Sequence, residues 1–263
     1  RSIRARYPRI HIIVAEQNVR IPPDLLAVYE AERIEVVTTP FDCGVSVGRN
    51  MAVERARTEF VLICDDDFLF CQDTDIELPI TILDNDSRVD IVGGSLRDLV
   101  DSPADPTWQL RRWEAFLARD RDHRFISMTN IDFLAPRVRQ VGQIEYFETD
   151  TVLNWKILRR SAFDRGARWD PRYKCNGEHE DFYLNVKETT RLGVVYCPAF
   201  YAYHHSPRDH RYMKKRNDIS GWQRFALKWD VDECVQPLKG FRAVCSCGTC
   251  ACPCRKNRPP APC

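Results

Sequence analysis

The chain has 263 residues, a formal net charge of +1 and a hydrophobic content of 44%, which is enough apolar material for one large globular domain with appendages. So small a net charge excludes a global field drawing the protein to nucleic acid or an anionic membrane. No apolar run approaches the ~20 residues of a membrane-spanning helix.

Short apolar runs alternate with helical patterns, which argues for an α/β sheet covered by helices. Ile10 to Ala15 reads as a strand, and Pro22-Pro23-Asp24 opens a helix to about Arg33. Ile34 to Thr38 is the next strand. The loop from Pro40 to Ser46 leads into a helix over Val47 to Arg57. Phe60 to Cys64 is a short, wholly apolar strand of the kind found buried on both faces. Ile76 to Leu83 reads as a helix ending in the turn Asp84-Asn85-Asp86, and Val89 to Gly93 as a strand. Trp108 to Arg119 has a helical pattern, whereas Phe125 to Val138 and Gln143 to Glu148 suggest antiparallel strands. Thr151 to Leu158 leads to a helix from Arg160, Asp181 to Arg191 is a further helix, and Val194 to Tyr203 is a strand with Pro198 at a bulge or edge. Phe225 to Trp229 adds a last packing helix.

Half of the 12 cysteines lie after Val244, in a tail without core periodicity whose clustered thiols could bind a soft metal, form disulfides or be disordered, with disorder the favoured expectation. The others (Cys43, Cys64, Cys71, Cys175, Cys197 and Cys234) match no zinc-module spacing. Residue 1 is Arg rather than Met and no signal peptide is evident, so a fragment or processed product is expected, with any targeting segment outside it.

Four constellations carry chemistry. The first is Asp65-Asp66-Asp67, directly after the strand Phe60 to Cys64. Adjacent carboxylates repel, and at the end of a buried strand they project into the crevice where α/β sheets bind ligands. A hard divalent cation, Mn²⁺ or Mg²⁺, relieves the repulsion and a diphosphate completes its shell. In extended chain Asp65 and Asp67 share one side. The alternatives are a solvated acidic turn or a metal-dependent phosphatase, although Leu69 stands where the latter usually has Thr. The second is Gly44-Val45-Ser46-Val47-Gly48-Arg49-Asn50, where free helix amides can meet an anion and Arg49 a nucleotide or an aspartate. The third is Asn176-Gly177-Glu178-His179-Glu180-Asp181-Phe182, an acidic helix start that suits a base accepting a hydroxyl proton; plain capping is the alternative. The fourth is Tyr203-His204-His205-Ser206, where one imidazole can complete a metal shell.

In this order the pieces resemble inverting glycosyltransferases of the nucleotide-sugar "A" fold (GT-A), most nearly family 2 and, within it, the β-1,4-N-acetylgalactosaminyltransferases of family 12. The carrying residues are Gly48-Arg49-Asn50-Met51-Ala52-Val53, Phe60-Val61-Leu62, Asp65-Asp66-Asp67-Phe68, Asp90-Ile91-Val92-Gly93-Gly94, Asp150-Thr151-Val152-Leu153-Asn154-Trp155 with Leu158-Arg159-Arg160, and Glu178-His179-Glu180-Asp181-Phe182. The resemblance runs from about residue 1 to 205. It implies a mixed, mostly parallel central sheet flanked by helices and lacking the family's first strand, since Ser2 to Tyr7 reads as the end of the helix that follows that strand. It implies Asp65, Asp67 and His204 (His205 as alternative) as ligands of Mn²⁺ or Mg²⁺. Asp181 becomes the catalytic base. Arg49, Asp66, Asn154 and Glu180 become substrate-binding residues. The implied donor is a nucleotide sugar, UDP-GalNAc or a related UDP-hexose, and the acceptor a glycan, glycolipid or glycoprotein, with no nucleic acid and no membrane segment in this chain. The Golgi lumen is the implied location. Residues 1–100 are expected to form the nucleotide-sugar half, 101–230 the acceptor and catalytic half, and 231–263 a Cys-rich appendage. A non-catalytic sugar-binding relative is the rival reading. Trp155, Trp169 and Tyr173 are candidates for sugar stacking, with core packing the stronger expectation for each.

Overall fold

The computed structural model describes residues 1–99, 108–112, 114–120, 124–128, 137–205, 220–236 and 240–243. The short helix α1 (Ser2–Arg6) leads to β1 (Ile12–Glu16), α2 (Pro23–Ala31) and β2 (Ile34–Thr38). β1 and β2 pair in parallel from Ile12↔Ile34 to Glu16↔Thr38, and α2 starts with Pro23 at a position where a missing N–H costs nothing. Then come α3 (Val45–Arg55), β3 (Phe60–Ile63), β4 (Phe68–Leu69), α4 (Glu77–Asn85) and β5 (Ile91–Leu99). β6 (Trp108–Arg111), β7 (Phe116–Arg119) and β8 (Arg124–Met128) follow, and then the hairpin β9 (Val138–Val141) and β10 (Ile144–Glu148). The chain continues through β11 (Lys156–Arg159), α5 (Ser161–Asp164), α6 (Glu178–Thr189) and β12 (Val194–His204). Its last described elements are α7 (Ser220–Trp229), β13 (Glu233–Gln236) and β14 (Gly240–Ala243).

The central sheet has the order β3-β11-β5-β12-β10-β9, with β4 added to β12 and β6 to β5. It is mixed, as expected, but its neighbouring pairs are mostly antiparallel rather than mostly parallel. β3, β5 and β12 share one direction, while β11 lies antiparallel between β3 and β5, and β10 antiparallel to β12. Alternation along the strands splits the apolar residues between two cores, one on each face. Ile91, Leu158 and Val194 join Trp169 and Phe182 of α6's side, and Val92, Ile157 and Val195 join Ile82 and Leu83 of α4. Trp155 stacks on Phe200 at 4.5 Å and Trp169 on Phe182 at 4.6 Å; with Tyr173 they are fully or almost fully buried and serve the core rather than a sugar. Gly94 is where β5 and β12 come closest, since a Cβ there would lie 1.8 Å from the Phe200 carbonyl oxygen.

Two sequence expectations change. Trp108 to Arg119 is two strands, not a helix: β6 pairs with the far end of β5, and β7 with β8. A sheet edge offering backbone partners overrides weak helical periodicity. The segment expected as an appendage from residue 231 starts inside the fold, with Val231 in the core and β13 parallel to β8. The cysteine tail from Cys245 lies outside the described residues, as does Ser206. No helix among the described residues is long and apolar enough to cross a membrane.

Candidate active site

β3 is apolar to its last residue, and the chain turns sharply once the aspartates begin: the Phe68 amide donates back to the Asp65 carbonyl at 3.4 Å, and residues 66 and 67 form a turn. The three carboxylates therefore do not alternate as in extended chain. Asp65 and Asp67 go to different partners, which corrects the expectation that they share one side. Asp65 Oδ1 accepts from Arg49 Nη2 at 3.0 Å. Asp67 Oδ2 lies 3.0 Å from His204 Nε2, while Asp67 Oδ1 is buried and no donor among the described residues reaches it. Asp66 is the exposed member; partial enclosure, then the charges of Asp67 and Asp65, push its carboxyl above the usual range. The same pressure reaches Cys64, whose thiol is pushed up to about 12 by burial and then by the three aspartates.

Arg49 ties this turn to the start of α6. Its guanidinium is nearly buried, holds Asp65, and lies 3.5 Å from Glu178 Oε1. Burial pulls its pKa down, but the charges of Asp65 and Glu178 outweigh that and raise it. The two loops that carry these residues also meet through backbone. Gly44, at φ +87°, caps α3 against Lys174, whose Cα would lie 2.3 Å from a Cβ at that position, and the Val45 amide donates to the Lys174 carbonyl at 3.0 Å. Beneath them Lys156 is fully buried, its ammonium 4.5 Å from the Phe182 ring and donating to the Tyr183 hydroxyl at 3.2 Å. Burial, then the charge of Arg49, hold its pKa well below the usual value.

His204 is the strand-end imidazole that meets the aspartates. It is 9% exposed, packs against the Phe68 ring, and has Asp67 on Nε2 and Asp98 on Nδ1 at 2.5 Å. Its hydrogen bond to Asp67 raises its pKa; burial opposes this, and the bond to Asp98 adds to it. His205 is exposed and meets Asp67 through backbone alone, its amide donating to the Asp67 carbonyl at 3.0 Å.

Asp181 has a different setting. It is 1% exposed, and both oxygens are taken by α7: Lys228 Nζ lies 2.7 Å from Oδ1 and 3.0 Å from Oδ2, and Trp229 Nε1 donates to Oδ1 at 2.8 Å. A carboxylate so enclosed is a poor proton acceptor for an incoming hydroxyl and a strong anchor for α7. Glu180, one residue earlier, is partly exposed. Asn154 lies just before β11, whose Lys156 pairs with Ile63 at the end of β3; its Oδ1 is buried and no donor among the described residues reaches it.

Three participants escaped the sequence. Glu16, at the end of β1, is buried and accepts from the Tyr29 hydroxyl at 2.9 Å. Asp98 lies beyond Gly93, where β5 was expected to end, and Arg111 lies on β6, in a stretch expected to be helical. The run Ser95-Leu96-Arg97-Asp98 holds the signal that the strand goes on, since Leu96 is core and Asp98 sits on the same face.

Asp67 and His204 are of the residue types that ligate divalent cations, and the buried Oδ1 of Asp67, with no donor among the described residues, leaves an acceptor that such a cation would satisfy. A full protein shell is another matter: among the described residues no three His, Cys, Asp or Glu side chains converge as one. Cations of the magnesium type commonly keep several waters and bind through one or two carboxylates plus substrate phosphates, so two protein ligands suffice.

With this geometry in place, the comparison with known proteins is direct. The sequence profile of glycosyl transferase family 2 matches residues 1–166, more than half of the chain. The chain belongs to glycosyl transferase family 2. This family-2 chain is 36% identical over 126 residues to the beta-1,4 N-acetylgalactosaminyltransferase 2 of Mus musculus, a match covering 45% of the chain and 24% of the relative. It is 34% identical over 98 residues to the beta-1,4 N-acetylgalactosaminyltransferase 1 of Homo sapiens, covering 37% of the chain and 17% of the relative. The matched part thus spans a quarter or less of these curated relatives. A crystal structure of GalNAc-T7 with UDP, GalNAc and Mn²⁺ superposes with a TM-score of 0.57 at 11% identity, over 88% of this chain and 50% of that one. TarS of S. aureus gives 0.50 at 15% identity, over 86% of this chain and 36% of that one. These likenesses are of fold, and they bear out the GT-A architecture expected from the sequence.

Proposed function

We propose that the chain carries the catalytic site of an inverting glycosyltransferase, which moves a hexose such as N-acetylgalactosamine from a UDP donor to a hydroxyl of a glycan, glycolipid or glycoprotein, and that it works in the Golgi lumen. The observation that carries this reading is the buried oxygen of Asp67, without a donor among the described residues, beside His204 after the end of β3, in a chain of this family. Asp67 and His204 are the proposed ligands of Mn²⁺ or Mg²⁺. Asp65 contributes charge from its place under Arg49. A divalent cation bound there neutralises charge developing on the leaving diphosphate.

The chain's own residues supply the rest. Arg49 sets the acidic turn at a fixed distance from the start of α6. Asp66, exposed at the lip, and Asn154 are proposed to meet the donor. Inversion needs a base on the face of the sugar opposite the diphosphate. Glu178 is proposed for it, because Arg49 already brings that carboxylate toward Asp65, with Glu180 binding the acceptor. Asp181, the base implied by the family resemblance, is reassigned to holding α7.

The test is calorimetry of UDP with and without Mn²⁺, together with turnover of UDP-GalNAc on a panel of acceptors. Metal-dependent UDP binding that collapses in Asp67→Ala supports the reading. Equal UDP affinity with and without chelator overturns it, and hydrolysis much faster than transfer points to a phosphatase.

A further inference from the structure

The chemistry of Asp67 and His204 leaves one question: what decides which imidazole nitrogen faces Asp67? The β5–β12 register answers it in backbone terms, pairing His204 with Asp98. On that register the carboxylate of Asp98 reaches Nδ1 at 2.5 Å, while Nε2 turns to Asp67 at 3.0 Å. Asp98 is itself held from β6. Arg111 Nε donates to Asp98 Oδ2 at 2.6 Å, and Arg111 Nη2 donates to Oδ1. Arg111 Nη2 also lies 2.5 Å from His204 Nδ1. A carboxylate placed between a guanidinium and an imidazole accepts from both; once a cation replaces the proton between Nε2 and Asp67, Nδ1 keeps its proton for Asp98 and the Nε2 lone pair is left for the cation.

We propose that Asp98, clamped by Arg111, is the positioning residue that fixes His204 in its Nδ1–H tautomer with Nε2 directed at a divalent cation on Asp67. This rests on the metal reading of Asp67 and His204 given above. It assigns to β5 and β6 a part in cation binding although neither strand supplies a ligand. An imidazole ligand whose other nitrogen donates to a carboxylate is oriented and made more basic, and loss of such a carboxylate typically lowers metal affinity about 10–100-fold.

The experiment uses the whole chain and two readouts other than activity. Mn²⁺ affinity is measured by calorimetry in the presence of UDP, for the native chain, Asp67→Ala, Asp98→Ala and Asp98→Asn. The His204 tautomer is read in metal-free proteins that carry Asp67→Ala, which removes the competing acceptor on Nε2, with and without the Asp98 substitution, from long-range ¹H–¹⁵N correlations at a pH where the ring is neutral. The expected result is a 10–100-fold weaker Mn²⁺ affinity in Asp98→Ala, with a shift of His204 toward the Nε2–H tautomer and an unchanged circular dichroism spectrum. Asp98→Asn keeps an acceptor for Nδ1–H, so it retains the tautomer and lies between the two; it also serves if Asp98→Ala does not fold. Loss of Mn²⁺ binding in Asp67→Ala with native affinity in both Asp98 variants overturns the role of Asp98 and leaves the metal reading standing. An unchanged tautomer in Asp98→Ala also overturns it. No Mn²⁺ binding by the native chain removes the metal reading itself, and the inference with it.

Discussion

Asp67 and Asp181 each stand beside a basic side chain, and their surroundings are otherwise opposite. Asp181 is sealed: Lys228 and Trp229 satisfy both oxygens, and the side chain has almost no contact with solvent. Asp67 keeps one buried oxygen to which no described residue donates, and its other oxygen faces an imidazole that can exchange a proton for a cation. Burying an acceptor without a donor is costly, and a ligand that supplies the missing interaction would offset that cost. On the proposed reading, this difference separates an aspartate that anchors α7 from one that meets a ligand.

The largest effect that sharpens this comparison lies between the two, at the shared turn of α6. Glu178→Gln keeps the shape and removes the basicity, so turnover should fall about 100-fold or more with donor binding nearly unchanged. Steady-state kinetics check it, and near-native turnover removes Glu178 from the mechanism. Next comes Asp181→Asn. Losing a charged partner of Lys228 inside the fold should cost about 2–3 kcal/mol, a drop in melting temperature of about 4–10 °C. A variant of native melting temperature whose turnover alone collapses would break the comparison and make Asp181 the base. The smallest effect belongs to a third, fully satisfied carboxylate. Asp86 is buried and accepts from Arg88, Tyr146 and Arg139. The Arg88 hydrogen bond lowers its pKa far below the usual carboxylate range; burial opposes this, and Tyr146 adds to the lowering. A depressed pKa gives stability that is present above the unfolded value, near pH 4, and lost as pH falls toward the folded one. The gap in melting temperature between the native chain and Asp86→Asn should therefore be constant from pH 7 to about 5 and shrink below about 4. A gap that persists unchanged at pH 2.5 would show that the ionised carboxylate is not its source.

Much of this was legible in the chain. The apolar run before Asp65 announced a strand ending in carboxylates, although that strand ends the described sheet order and is only partly buried rather than enclosed on both faces. The sequence offered His204, with His205 as the alternative, for the imidazole beside the aspartates, and the choice between them waited for the structure. What stayed hidden depended on partners distant in sequence. Asp65 looked equivalent to Asp67 until the turn sent it to Arg49. Asp181 was implied as a base by the family resemblance, and its sequence neighbourhood does not reveal the lysine and tryptophan that close over it from α7. Trp108 to Arg119 had a helical rhythm that lost to the open edge of β5 and to β8. Asp98 carried no motif at all; its significance comes only from lying opposite His204.

Between Tyr196 and Tyr201 the pairing of β12 with β5 slips: five residues of β12 pass while β5 advances by two, from Gly93 to Ser95. The surplus is odd, so it inverts the parity of the strand. Even-numbered residues face α6's core before the slip, as Val194 and Tyr196 do, and α4's core after it, as Phe200 and Ala202 do. The choice of His204 over His205 is thus made several residues upstream, around Pro198. Deleting one residue there would exchange the two imidazoles without altering either, so the length of that segment is as much a part of the site as the histidine it aims.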